Sequence, residues 1–71
     1  MVKMHIVIMD YESNTVHAFD RDYEVDADVE YELTESGEFN PDTSYLLFSP
    51  HDIRIIIEGT AGFVMHNEEV L

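Results

Sequence analysis

The amino-acid sequence predicts a small α+β domain: an antiparallel sheet with one packed helix, in the order strand-strand-helix-strand-strand. Three observations carry the prediction. An apolar run over residues 2–9 is followed by turn-forming residues and then by β-branched and aromatic types. The segment 19–33 alternates acids with apolar residues, yet it also sets Val25, Val29 and Leu33 at i, i+4, i+8. Two later apolar runs, 44–48 and 53–58, flank the turn-forming Ser49-Pro50-His51-Asp52.

The first run places Met4, Ile6 and Ile8 on one face of a strand and Val7 and Met9 on the other, the pattern of a central strand. Residues 10–14 are polar and turn-forming, so residues 15–19 complete an opening hairpin.

Acids then occupy every even position from Asp20 to Glu32, with Tyr23, Val25, Ala27, Val29, Tyr31 and Leu33 among them. A strand with a carboxylate face and a helix both fit this segment. For the helix, Asp26 or Asp28 supplies an N-cap, acids suit the first turn, and Gly37 stands at a C′ position. Against it, Glu24, Asp28 and Glu32 form like-charge i, i+4 pairs, each costing about 0.2–0.5 kcal/mol. Asp and Glu are poor strand formers, and the stretch is long for a strand. The reading adopted is a strand or turn to about Val25 and a helix over residues 26–36, packed through Val25, Val29 and Leu33.

Residues 38–43, with Asn40-Pro41-Asp42, form a loop. Runs 44–48 and 53–58 read as a second hairpin, with Ile53, Ile55 and Ile57 sharing a face. Gly59 and Gly62 break the pattern, so residues 59–71 are an edge strand at Phe63-Val64-Met65 or a frayed acidic tail.

The whole chain, residues 1–71, is read as a single small acidic domain, close to the lower size at which a core holds without staples. Apolar types make up 45% of it and include four Phe and four Tyr, too many for a disordered segment. Cysteine is absent, so burial must supply the stability. The run Ile6-Val7-Ile8-Met9 is too short for a signal sequence, and nothing approaches a transmembrane length, which points to the cytoplasm.

Three Lys and Arg against sixteen Asp and Glu give a net charge of −13. Such a surface repels nucleic acid and anionic membranes and favours a basic protein partner. Self-repulsion favours a monomer or a weak homodimer, and salt screens it.

No motif carries catalysis, and the chain is read as non-enzymatic with no cofactor. His5, His17, His51 and His66 are far apart and lack the spacing of a helical zinc site. His51-Asp52 has no matching nucleophile. Taking Asp20 as position one of a calcium loop puts Val25 where glycine is needed and Tyr31 where the bidentate acid is needed. Gly59-Thr60-Ala61-Gly62 lacks the lysine of a phosphate-binding loop.

The candidate partner-binding residues are therefore Asp20, Asp22, Glu24, Asp26, Asp28, Glu30 and Glu32. In an extended chain their carboxylates stand about 6.6–6.8 Å apart, near the phosphate spacing of a nucleic-acid strand. An alternative function follows, a nucleic-acid mimic that inhibits a DNA- or RNA-binding host protein in the manner of an anti-restriction or anti-defence factor. A metal-dependent enzyme is the remaining alternative.

Asp28-Val29-Glu30-Tyr31-Glu32-Leu33-Thr34-Glu35-Ser36-Gly37, followed by Ser44-Tyr45-Leu46-Leu47-Phe48 and Ile53-Arg54-Ile55-Ile56-Ile57, resembles short acidic uncharacterised proteins of bacterial mobile elements and phages, particularly in Bacteroides-like genomes. The likeness spans residues 4–58 and rests on pattern. Tyr31-Glu32 stands where that pattern has Glu-Phe. The resemblance implies a helix in the Asp-Val-Glu segment and an inhibitor of host defence or a modulator of a nucleic-acid enzyme. It brings no site residue with it.

Overall fold

The computed structural model describes residues 1–66. Strand β1 (Val2–Asp10) and strand β2 (Thr15–Tyr23) form a hairpin, helix α1 (Val29–Glu35) follows, and strand β3 (Ser44–Ser49) returns to the other side of β1. The sheet is antiparallel with the order β2-β1-β3.

The hairpin closes where its residues favour a turn. Asp10 accepts the backbone N–H of Glu12 and Ser13 on Oδ1 at 2.9 and 3.2 Å, and Asn14 takes a left-handed φ of 54°, which Asn tolerates well. This sets Asp10 opposite Thr15 and Ile6 opposite Phe19. Opposed residues of an antiparallel pair share a face. Met4, Ile6 and Ile8 therefore lie beside Arg21, Phe19 and His17 on one side and beside Phe48 and Leu46 on the other. The helix covers this face. Lys3, His5, Val7 and Met9 belong to the opposite, open face, with Asp22, Asp20, Ala18 and Val16 on β2 and Leu47 and Tyr45 on β3.

Helix α1 is capped at both ends by its own sequence. Asp28 accepts the Tyr31 N–H at 3.1 Å, the N-cap bond. At the C-terminus Gly37, at φ +82°, donates to the Thr34 carbonyl while Glu38 donates to that of Leu33, both at 3.1 Å. This pair of bonds is a Schellman motif. Val29 and Leu33, one turn apart, project onto Ile6 and Ile8, and Tyr23 and Phe39 close the core at either end of the helical segment. Leu33 and Ile6 are fully buried, and each such side chain contributes about 1.5–3 kcal/mol by leaving water.

Three expectations are corrected. Val25 is 82% exposed and does not join the packing face, because the chain turns at Glu24–Ala27 before the helix begins. The second hairpin does not form: residues 52–57 contain no strand, so the order is strand-strand-helix-strand. Pro50 cannot donate to a ladder directly after β3, and Ile53 and Ile55 line a cavity with His5, Val7 and Val16, so the chain crosses the open face rather than running alongside β3. Phe63-Val64-Met65 is not an edge strand but leaves a turn in which Phe63 donates to the Thr60 carbonyl and Gly62 has φ +89°. The expected frayed end at residues 67–71 lies outside the described residues.

Candidate functional site: an acidic band and an open sheet face

The alternating acids are divided among three elements by the fold. Asp20 and Asp22 stand on β2 and point to the open face, opposite His5 and Lys3. Glu24 and Asp26 lie in the turn at the end of β2, Asp28 is the helix cap, and Glu30 and Glu32 occupy the first helical turn. All of them are exposed. The band thus wraps from the open face around one end of the sheet to the helix side. Strand spacing is kept only between Asp20 and Asp22, because the chain leaves extended geometry at Tyr23.

The members differ in what they touch. Asp28 is bound to the helix backbone. Asp20 Oδ1 stands 2.5 Å from His5 Nδ1, while His5 Nε2 is 3.5 Å from Asp52 Oδ1, so one half-buried imidazole lies between two carboxylates. Among the described residues, no ion pair engages Asp22, Glu24, Asp26, Glu30 or Glu32. Arg21, on the helix-covered face, is committed elsewhere: it forks onto Glu38 and lies 5.0 Å from the centre of the Phe19 ring.

The His5 cluster was not anticipated, although the hairpin contained the signal. A turn over residues 11–14 forces the partner numbers of β1 and β2 to a constant sum, which places His5 opposite Asp20. The contact of Asp52 with His5 depends on the path of residues 50–53, for which no local pattern speaks. His51 does not share that cluster; its backbone N–H donates to Ser49 Oγ at 3.0 Å. Among the described residues no group of three His, Asp or Glu side chains is arranged to hold a metal ion.

Segment 53–66 passes over the open face without closing on it. A cavity of about 930 Å³ remains between them, lined by His5, Val7, Val16, Asp20, Ile53 and Ile55 among others. Val16, Tyr45 and Leu47 on this face, and Ile55 and Ile56 above it, stay exposed. Among the described residues no helix is long and apolar enough to cross a membrane. Comparisons of the chain with protein-family models, with curated proteins and with solved structures give no match.

Proposed function

We propose that the chain is a non-enzymatic interaction module that binds a basic protein surface through its acidic band. The observation that supports this reading is the lack of internal compensation. Asp22, Glu24, Asp26, Glu30 and Glu32 are exposed and unpaired among the described residues, while Arg21 is already spent on Glu38. Their potential is left to act on a partner, where it speeds association and selects cationic surfaces. Binding of this kind weakens as salt rises, because the screening length shrinks from about 30 Å at 0.01 M to about 8 Å at 0.15 M.

The test replaces Asp20, Asp22, Glu24, Asp26, Asp28, Glu30 and Glu32 by Asn or Gln, which retain size and, at position 28, the capping oxygen. Affinity capture from lysate at low salt should yield a basic protein with the parent chain and lose it with the variant. Unchanged capture ends the proposal. The resemblance to mobile-element proteins makes a nucleic-acid-binding enzyme the first partner to try. Duplex DNA would then compete for capture at low salt. Failure to compete removes mimicry and leaves the basic protein partner standing.

A further inference from the structure

Resting on the acidic band as the surface that meets a basic partner, we infer that the free edge of β2 takes up an extended segment of that partner as a fourth strand, with lysine or arginine at every second position. Strand β2 is an outer strand of nine residues, and among the described residues it pairs with β1 alone. Every second residue of such a strand turns its N–H and C=O away from the sheet, and among the described residues no backbone bond takes them up. Val16, His17, Ala18, Asp20, Arg21 and Asp22 stay exposed along it. Main-chain bonds to such an edge give affinity for an extended peptide, and the alternate side chains give selection.

Charge decides which strand fits. Asp20 and Asp22 stand two residues apart on β2, so their side chains are about 6.6–6.8 Å apart on the open face. An added strand has the same repeat, which sets its alternate side chains beside these two. Opposite charges in opposed positions stabilise a pair of strands, and like charges destabilise it. A second copy of this chain, at net charge −13, is repelled from such an edge, whereas a basic segment is drawn to it. The other outer strand, β3, reads Ser-Tyr-Leu-Leu-Phe-Ser and has no charge with which to select a basic strand.

The chain's own cations leave the outer side of this row uncompensated. Arg21 belongs to the helix-covered face and forks onto Glu38. His5 approaches Asp20 from β1, with Nδ1 2.5 Å from Oδ1, and Oδ2 has no partner among the described residues. Lys3 stands opposite Asp22, also on β1, and among the described residues forms no ion pair with it. Both carboxylates therefore keep capacity for a cation arriving from beyond the edge. Long basic side chains also find a place for their stems. The cavity of about 930 Å³ borders β2 from Thr15 to Asp20 and has Val16, Ile53 and Ile55 among its walls. Lysine and arginine lay their methylenes on apolar surface of this kind and keep the head group in water.

Fluorescence anisotropy of labelled peptides with the whole chain in 0.05 M NaCl tests the fourth strand. Lys-Thr-Lys-Val-Lys-Thr-Lys should bind about 10-fold more tightly than a peptide of the same composition with its lysines in one block, because only the first presents a basic face when extended. Backbone N-methylation then separates strand addition from charge attraction, since it removes donors and keeps the charge. In a strand the lysines share one N–H direction and the intervening residues share the other. Methylating one of these sets should weaken binding by about 10-fold or more, and methylating the other should leave it unchanged. On the protein, Asp20→Asn with Asp22→Asn should weaken the alternating peptide by about 10-fold. Glu30→Gln with Glu32→Gln, the same charge change on the helix side, should weaken it by less than about 2-fold. Equal binding of the alternating and block peptides, equal response to the two methylation patterns, or equal losses from the two pairs of substitutions overturns strand addition and leaves the acidic band standing. Absence of binding by every peptide overturns it too, while the band itself falls only if capture from lysate is indifferent to its acids.

Discussion

Arg21 reaches from β2 to the loop behind the helix, where its two terminal nitrogens meet both carboxylate oxygens of Glu38 at 2.6 and 2.8 Å. Ser36, the C-cap residue, adds a hydroxyl bond of 2.9 Å to the same carboxylate. One of the few cations of the chain thereby ties the acidic strand to the helix terminus. The fork geometry is what a guanidinium provides and an ammonium does not.

The pair gives a pH dependence of definite sign. The guanidinium of Arg21, then the Ser36 hydroxyl, hold the Glu38 carboxyl below its ordinary value. Asp10 is also lowered, first by the backbone N–H of Ser13 and then by that of Glu12. A carboxylate depressed in the folded state contributes stability above its unfolded pKa and loses it as pH falls through the folded value. Both side chains of the pair are about two-fifths exposed, so solvent screening limits it to about 1 kcal/mol. A double-mutant cycle of Arg21→Gln and Glu38→Gln by urea unfolding should give that coupling at pH 7. At pH 3, below the unfolded glutamate value of about 4.3, most of it should be gone. Coupling that persists at pH 3 contradicts the assignment.

The core prediction separates two positions that helical spacing makes equivalent. Leu33 is 0% exposed and Val25 is 82% exposed. Leu33→Ala should cost about 2–5 kcal/mol, a large part of the roughly 4–10 kcal/mol expected for a chain of this length. Val25→Ala should stay within about 0.5 kcal/mol. The denaturation midpoints decide it.

That contrast shows where the fold was legible in the sequence. The hairpin, the helix stop at Gly37 and the inward pair Val29 and Leu33 all follow from local signals, namely turn residues, a positive-φ glycine and a one-turn spacing. The start of the helix did not, because Asp26 and Asp28 offer equivalent caps and only tertiary packing selects Asp28. Residues 53–58 alternate as a strand should, yet periodicity does not say which edge a strand will meet, and Pro50 interrupts the ladder just before the segment. Of the candidate site, composition and spacing identified the acids. Their division between the open face and the helix side depends on the bend after Tyr23, which no single residue announces.

Gly37 isolates a backbone term. It sits at φ +82°, and a Cβ there would meet nothing within 4 Å. Gly37→Ala should therefore lower stability by about 1–2 kcal/mol through left-handed strain alone. Gly37→Asn should lose less, since Asn tolerates this region. Equal losses from the two variants would mean that crowding, not conformation, sets the cost.

The acids of the band are predicted to act on stability with opposite signs. Asp28→Ala removes the acceptor for the Tyr31 N–H and should cost about 1 kcal/mol. Asp22→Asn removes a charge that no ion pair engages among the described residues, in a chain of net charge −13, so relief of repulsion should leave stability unchanged or raised by a few tenths of a kcal/mol. Salt tells the two apart. Raising NaCl from 0.02 to 0.5 M screens the repulsion and erases the benefit at Asp22, whereas the short capping bond at Asp28 is screened little and its cost persists. Thermal melts of the two variants at both salts provide the comparison. A cap penalty that vanished in 0.5 M NaCl would mean that Asp28 acts through charge alone and not through its bond to the Tyr31 N–H.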